Sequence, residues 1–139
     1  MKFSFMTFYC PELTLDQVLS MAKEFGYDGI EPRISASHQH GVEFDTTVDQ
    51  RREIRQKSDD HGIAIACVAT SCRYADPANR EKMIADTHRA IDLTADIGSS
   101  RIRFFGGQLG EGVNREKGVE LVATALAQVA DHAADREVF

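Results

Sequence analysis

Two residues of opposite charge, Glu31 and Arg33, flank a proline in the string "GIEPR". A guanidinium group can hold a substrate carboxylate, phosphate or hydroxyl group, and a neighbouring carboxylate can bind sugar hydroxyls or orient the guanidinium. The pair predicts a substrate contact, with a structural ion pair as the alternative. Arg73, a few residues after an apolar run, is either a further substrate contact or a solvated loop residue.

His38 and His40 form an H-x-H pattern. Two imidazoles at this spacing can bind zinc, but a protein usually supplies three or four ligands to that ion. Glu43 and Asp45 follow, yet no cysteine or carboxylate cluster stands beside the pair. The two histidines are therefore weak metal candidates, and the pattern favours a flexible polar loop.

The remaining reactive residue types form no recognisable motif. The glycines of "GGQLGEG" lack both the lysine of a phosphate loop and the dinucleotide-binding order, which favours a loop whose backbone approaches a substrate. No histidine is spaced to activate a cysteine, and an odd number of cysteines favours reduced thiols. We expect the other three histidines to be structural or surface residues: His61, His88 and His132.

Size and charge restrict the class of protein. A chain of 139 residues, 42% of them hydrophobic, suits one domain with a real core. The net charge of -6 argues against nucleic acid or an anionic membrane as a partner. No apolar run approaches the roughly 18 to 20 residues that span a membrane, and the start "MKFSFMTFYC" lacks a cleavage site. The composition predicts a cytoplasmic protein.

A repeat organises the chain. Gly26, Gly62 and Gly98 each follow a helical segment and precede a β-rich run, and their positions are 36 residues apart. Glycine is the residue expected where a helix closes in the left-handed conformation. The next position of the series is Ala134, so the final residues "DREVF" fall where another strand is expected to begin. This ending favours a truncated chain over a natural half.

Helices and strands alternate along the sequence. Thr14 begins a capping box for the first helix, the second is predicted to begin near residues 45–47, and Asp76-Pro77 is a typical opening for the third. Apolar residues at helical spacing from Val119 onward predict the fourth. The predicted strands are residues 3–9, 29–33, 63–69 and 101–105.

Strands that alternate with single helices predict a parallel α/β sheet with right-handed crossovers. Eight repeats would give about 288 residues, near the roughly 250 of a (β/α)₈ TIM barrel. The predicted fold is therefore a (βα)₄ half of such a barrel, ending at the start of strand five. We expect a single domain over residues 1–139.

The string "FGYDGIEPR" resembles the second-strand signature of the xylose isomerase-like barrels, a group of sugar phosphate isomerases and epimerases. The resemblance continues through "KFSFMTFYC", "HGIAIACVATS" and "IGSSRIRFFGG" in the order of strands one, three and four. It covers essentially the whole chain and implies the amino-terminal half of the barrel.

The resemblance also implies a divalent metal, Mn²⁺, Mg²⁺ or Co²⁺, in the complete barrel. In the family its ligands, including two glutamates that shuttle protons, come from strands five to eight, which lie beyond Phe139. We therefore expect neither a metal nor a catalytic base in this chain. Related barrels with DNA-repair activity take histidine ligands from early strands, but Ser71 and Cys72 occupy the end of strand three here.

In such barrels the carboxyl ends of the strands and the loops that follow them meet the substrate. The candidate substrate-binding residues at these positions are Tyr9, Glu31, Arg33, Ser71, Arg73, Gly106 and Gly107.

Two classes of function remain open, and a third is weaker. The first is the amino-terminal half of a metal-dependent sugar, sugar phosphate or keto-acid isomerase or epimerase, or a dehydratase, acting through an enediol. The second is a non-catalytic half-barrel that forms a homodimer or complements another chain, because an isolated (βα)₄ sheet has two open edges and an inner face expected to be apolar. The third is an open α/β binding domain.

Overall fold

The computed structural model describes all residues, 1–139. Strands alternate with helices from one end of the chain to the other. The helices are α1 (Leu15–Glu24), α2 (Val48–His61), α3 (Arg80–Asp96) and α4 (Arg115–Asp135). The strands are β1 (Ser4–Met6), β2 (Gly29–Glu31), β3 (Ala64–Ile65), β4 (Val68–Arg73) and β5 (Ile102–Phe105).

All strand pairings are parallel, which confirms the predicted (βα)₄ arrangement. β1, β2 and β3 pair in that order, and β4 pairs with β5. A bridge between Arg33 and Ala69 joins the two groups. Ile30 pairs with Ile65 whereas Arg33 pairs with Ala69, so the third strand position carries one extra residue between these pairs. This bulge divides the predicted strand 63–69 into β3 and β4.

Two predicted strand ends need correction. β1 stops at Met6, and a 3₁₀ turn over Thr7–Tyr9 takes the place of its predicted last residues. The third strand position continues to Arg73, so Ser71 and Arg73 lie within β4 and not in a loop after it.

Local sequence determines most of the helix starts. Thr14 forms the predicted capping box with the glutamine three residues later. Thr47 forms the same box at the predicted start of α2, although the box itself was not predicted there. The predicted start of α3 is wrong. Asp76 Oδ1 accepts a hydrogen bond from the Ala78 N–H at 3.0 Å, which makes a separate turn, and α3 begins after Asn79.

The predicted helix-ending glycines are confirmed, because Gly26, Gly62 and Gly98 have φ values of +73°, +69° and +85°. After α4 the left-handed residue is Glu137, with φ 55°, so this helix is longer than the repeat predicts. Phe139 then runs beside β5. Its N–H donates to the Ser100 carbonyl at 2.8 Å, and its carbonyl accepts from the Ile102 N–H at 3.1 Å.

The core lies between the sheet and the helices, in two apolar clusters. One joins α1, α2 and α3 to the sheet and includes Leu19, Ile30 and Leu93; the other joins α3 and α4 to β4 and includes Tyr74 and Val129. The other face of the sheet has no helix against it. The three cysteines form no disulfide. None of the four helices combines the length and the apolar character that crossing a membrane requires.

Candidate substrate-binding face

The sheet has one face toward the helices and one free face, called here the inner face. Ile30, Val68 and Ile102 pack in the helix-facing core. Because successive side chains of a strand alternate between faces, their neighbours lie on the inner face. These inner-face residues are Ser4, Met6, Glu31, Arg33, Ala69, Ser71, Arg73, Arg101, Arg103 and Phe105. The expectation of an apolar inner face is wrong, since four of these residues are arginines.

Arg33 is held in place from both of its ends. Its backbone N–H donates to Thr7 Oγ1 at 2.9 Å. Its Nη1 donates to the Thr70 carbonyl and its Nη2 to Ser71 Oγ, each at 2.5 Å. A guanidinium has five N–H donors, so three of those on Arg33 remain free of these bonds. The side chain is a positioned donor at the carboxyl end of β2.

Glu31 does not pair with Arg33, so the structural ion pair considered as an alternative does not form. Its Oε1 accepts a hydrogen bond from Ser4 Oγ at 2.6 Å. Glu31 and Ser4 are in neighbouring strands on the inner face, since Met6 is the register partner of Glu31. The carboxylate is thus tied to the β1 side of the face.

Arg103 is a residue that the sequence reasoning missed. Ala69 bridges Arg33 on one side and is the register partner of Arg103 on the other, so the two arginines lie at the same level of the sheet. Arg103 Nη2 lies 3.5 Å from Met6 Sδ, and its Cζ lies 4.7 Å from the centre of the Phe105 ring. Its Nε is buried without a hydrogen-bond partner. The signal was the alternation in "RIRFF", which places Arg101 and Arg103 on one face.

Arg73 is exposed at the end of β4. It lines a cleft of about 370 Å³ with Ser71, Asp76 and Gln108 among its other residues. Gly107 has φ +95°, and a Cβ there would lie 2.7 Å from Arg73 Cβ, so the close approach of the loop requires glycine. The Gly106 carbonyl accepts from the Tyr74 and Ala75 N–H groups at 3.0 Å each.

The arginines of the inner face have no carboxylate partner. Five arginines elsewhere form salt bridges: Arg51, Arg52, Arg80, Arg89 and Arg136. None forms at Arg33, Arg73, Arg101 or Arg103. Burial lowers the pKa of Arg33, and the charges of Arg103 and Arg73 lower it further. The face is therefore a positive region in a protein of net charge -6.

Tyr9 lies apart from the arginines. It is 84% exposed at the end of the 3₁₀ turn. It lines an apolar groove of about 430 Å³ on the β1 and α1 side, with Phe5, Met21, Phe25 and Tyr27. The structure thus brings Glu31, Arg33, Ser71, Arg73, Gly106 and Gly107 to the carboxyl ends of the strands and leaves Tyr9 outside that group.

The histidine loop differs from its prediction. His40 is 4% exposed, so it is not part of a flexible polar loop. Its Nδ1 accepts the Val42 N–H at 3.0 Å. Burial, and secondarily the charge of His38, lowers the pKa of His40 to about 4. The two rings lie 5.3 Å apart, and no third ligand joins them.

The carboxylate of Glu43, which follows the two histidines, is also engaged in hydrogen bonds. Glu43 accepts hydrogen bonds from the backbone N–H groups of Ser35, Ala36 and Ser37, at 2.6, 3.2 and 3.1 Å. Nowhere in the chain do three His, Cys, Asp or Glu residues come together to hold a metal ion. The residues present do not fit the divalent metal of the family.

Comparison with known proteins supports the fold. The model of the family described as "Xylose isomerase-like TIM barrel" matches residues 19–139. No curated protein matches the sequence. Among solved structures, IolI with a bound zinc atom shares 15% identity at a TM-score of 0.79. The match covers 99% of this chain and 49% of that chain.

Two further structures are similar in fold. D-psicose 3-epimerase, determined in the presence of D-fructose, shares 16% identity at a TM-score of 0.77, with 99% of this chain and 50% of that chain covered. A xylose isomerase-like TIM barrel protein from Mycobacterium smegmatis, in complex with magnesium, shares 19% identity at a TM-score of 0.69, with 99% and 52% covered. The chain thus spans about half the length of the structures it matches.

Proposed function

This chain belongs to the xylose isomerase-like TIM barrel family, and we propose that it is the amino-terminal half of a sugar or keto-acid isomerase or epimerase. In this proposal the chain supplies substrate-binding side chains at the carboxyl ends of its strands. The remaining strands of the barrel supply the metal ligands and the residues that move protons. Relatives with zinc and with magnesium support a metal in the complete barrel.

The observation that carries the proposal is the fixed guanidinium of Arg33. Active sites of TIM barrels lie at the carboxyl ends of the strands, where several strands each contribute a side chain. Arg33 is held there by Thr70 and Ser71 and keeps free donors directed at no protein group. A positioned donor of this kind lowers the entropy cost of orienting a hydroxyl or carbonyl oxygen of the substrate.

A binding measurement tests this proposal on the 139-residue chain itself. D-fructose is the first ligand because D-psicose 3-epimerase was crystallised in its presence. We expect D-fructose to perturb the backbone amide resonances of residues 69–73 and 103–107 in NMR spectra. Arg33→Met is expected to abolish the perturbation, whereas Arg52→Gln, at an exposed arginine of α2, is expected to retain it. D-fructose binding that is absent, or unaffected by Arg33→Met, would contradict the proposal.

A second candidate function is assembly of a barrel from separate halves. Two observations favour it. The outer edge of β1 has no strand beside it, and the apolar groove next to that edge exposes Phe25 to 70% and Tyr9 to 84%. We propose that a second copy of the chain covers this groove, with parallel strands pairing around a twofold axis.

Analytical ultracentrifugation tests assembly independently of ligand binding. We expect a dimer mass for the wild-type chain and a monomer mass for Phe25→Ser at the same concentration. Val48→Ser, at a 62% exposed apolar residue of α2 outside the groove, is the matched control and is expected to remain dimeric. A monomeric wild-type chain would overturn the dimer, and a mass that requires a different protein would favour a complementing chain.

A further inference from the structure

We propose that the inner face binds the anionic group of its ligand, a phosphate or a carboxylate, between Arg33, Arg73 and Arg103. This inference deepens the proposed function, because it uses the same face and names the chemical class of the substrate. It adds Arg103, a residue of the middle of β5, to the binding residues.

Arg33 and Arg103 flank Ala69 on adjacent strand positions at one level of the sheet. Two strand spacings separate their backbones by about 10 Å. The side chain between them at that level is the methyl group of Ala69, and beyond the effect of burial, the charge of Arg103 acts on Arg33 strongly enough to lower its pKa. Arg73, four residues along β4 from Ala69, adds a third guanidinium at the carboxyl end.

Arg33 and Arg103 carry N–H donors that have no acceptor. Arg33 uses two of its N–H groups on Thr70 and Ser71, and the others are free. Arg103 Nε is buried and makes no hydrogen bond, and its Nη2 contacts only a thioether sulfur, which is a weak acceptor. Phosphate and carboxylate oxygens are the acceptors that match a guanidinium in geometry and charge.

Like charges held close together in a partly buried site raise each other's free energy, and an opposite charge placed among them lowers it. No salt bridge supplies that charge at Arg33, Arg73 or Arg103, and the carboxylate of Glu31 is bonded to Ser4 at the β1 side. The charge of Glu43 acts on Arg33 and offsets part of the repulsion, but its carboxylate is bonded to the backbone N–H groups of residues 35–37. A neutral sugar hydroxyl would accept hydrogen bonds but would leave the repulsion in place.

Calorimetric titration of the 139-residue chain at low salt tests the inference with matched ligands. D-fructose 6-phosphate and D-fructose differ only in the phosphate, 2-keto-D-gluconate carries a carboxylate, and inorganic phosphate reports the anion alone. We expect D-fructose 6-phosphate or 2-keto-D-gluconate to bind at least tenfold more tightly than D-fructose, a factor that one charge-assisted hydrogen bond supplies. The tighter of the two identifies the anion.

The variants distinguish anion binding at the inner face from a nonspecific attraction of anions to positively charged side chains. Arg103→Met is expected to weaken binding of the preferred anion about tenfold or more, Arg103→Lys less, and Arg52→Gln not at all. Thermal unfolding of each variant reports whether it folds. If Arg103→Met does not fold, Arg103→Lys is used in its place to test the contribution of the guanidinium group.

Each remaining outcome overturns the inference in a recognisable way. Binding of D-fructose that depends on Arg33, without a preference for either anion, leaves the proposed function standing and overturns the anionic substrate. Equal loss of anion affinity in Arg103→Met and Arg52→Gln also overturns it. Binding of none of the four ligands overturns both.

Discussion

Arg33 and Arg103 lie at the same level of the parallel sheet, with Ala69 between them. Neither guanidinium has a carboxylate partner, although five other arginines of the chain do. The arrangement costs folding free energy through repulsion, and a bound anion offsets that cost. Arginines without a salt bridge at the carboxyl ends of the strands are the structural basis for the ligand proposed at this face.

The first prediction concerns the loop beside Arg73. Gly107→Ala is expected to destabilise the chain by about 1–2 kcal/mol, because alanine is strained at φ +95° and its Cβ would meet Arg73 Cβ. The displaced Arg73 should also weaken binding of D-fructose 6-phosphate. Urea unfolding and calorimetric titration measure the two effects.

Gly106→Ala is the matched control for that loop. The only group near a Cβ at this position is Val122 Cγ2, at 4.0 Å, so the methyl group fits. We expect a change within about 0.5 kcal/mol. Equal destabilisation by the two substitutions would show that Arg73 does not restrict residue 107.

The second prediction is a pH dependence of stability from His40. Its pKa is about 4 in the folded chain, below the 6.5 of an unperturbed imidazole, so folding favours the neutral ring. The stability from this group is complete above pH 6.5 and is lost as the pH falls toward 4, by about 3 kcal/mol in total. Urea unfolding at pH 7, 5.5 and 4.5 measures the loss.

His40→Asn removes the titrating ring while retaining an acceptor for the Val42 N–H. We expect the variant to lose less stability than the wild type over the same pH interval, whatever its stability at pH 7. His38 and Glu43 face the ring and remain in both proteins, so their contributions are held in common. Parallel stability curves for the two proteins would be inconsistent with a buried neutral His40.

The third prediction concerns the loop after β2. The Glu43 carboxylate accepts hydrogen bonds from the three backbone N–H groups of residues 35–37. Ser35 and Ser37 have positive φ values of 59° and 53°. Glu43→Gln removes the charge from these bonds and should destabilise the chain by about 1–2 kcal/mol. Hydrogen exchange of the three amides is expected to accelerate.

Glu111→Gln, at an exposed loop carboxylate without a salt bridge, is the control for Glu43. It should leave both the unfolding free energy and the exchange of residues 35–37 unchanged. Unaltered exchange in Glu43→Gln would mean that the loop is held by other contacts.

Features encoded locally could be predicted from the sequence. Thr14 and Thr47 cap their helices through a glutamine three residues away, and Gly26, Gly62 and Gly98 close helices in a conformation that glycine adopts without strain. Alternation of these elements was sufficient to predict the parallel sheet.

Features that depend on register could not be predicted in the same way. The bulge between β3 and β4 puts Ala69 beside Arg33, and the pairing of β4 with β5 puts Ala69 beside Arg103 and extends the strand to Arg73. His40 has polar neighbours in sequence but is buried, in a loop that is bonded to a distant residue through the Gln39 N–H and the Pro11 carbonyl at 2.8 Å. The Asp76-Pro77 pair has the composition of a helix start, yet its side-chain bonds form a separate turn.

The most direct test of the account follows the arginine side chains by NMR during titration with D-fructose 6-phosphate. The Nε–Hε resonances of Arg33, Arg73 and Arg103 are expected to shift together with one dissociation constant, while those of the salt-bridged Arg52 and Arg89 remain in place. Uniform small shifts at all arginines, or shifts confined to residues outside the inner face, would contradict a ligand site on this half of the barrel.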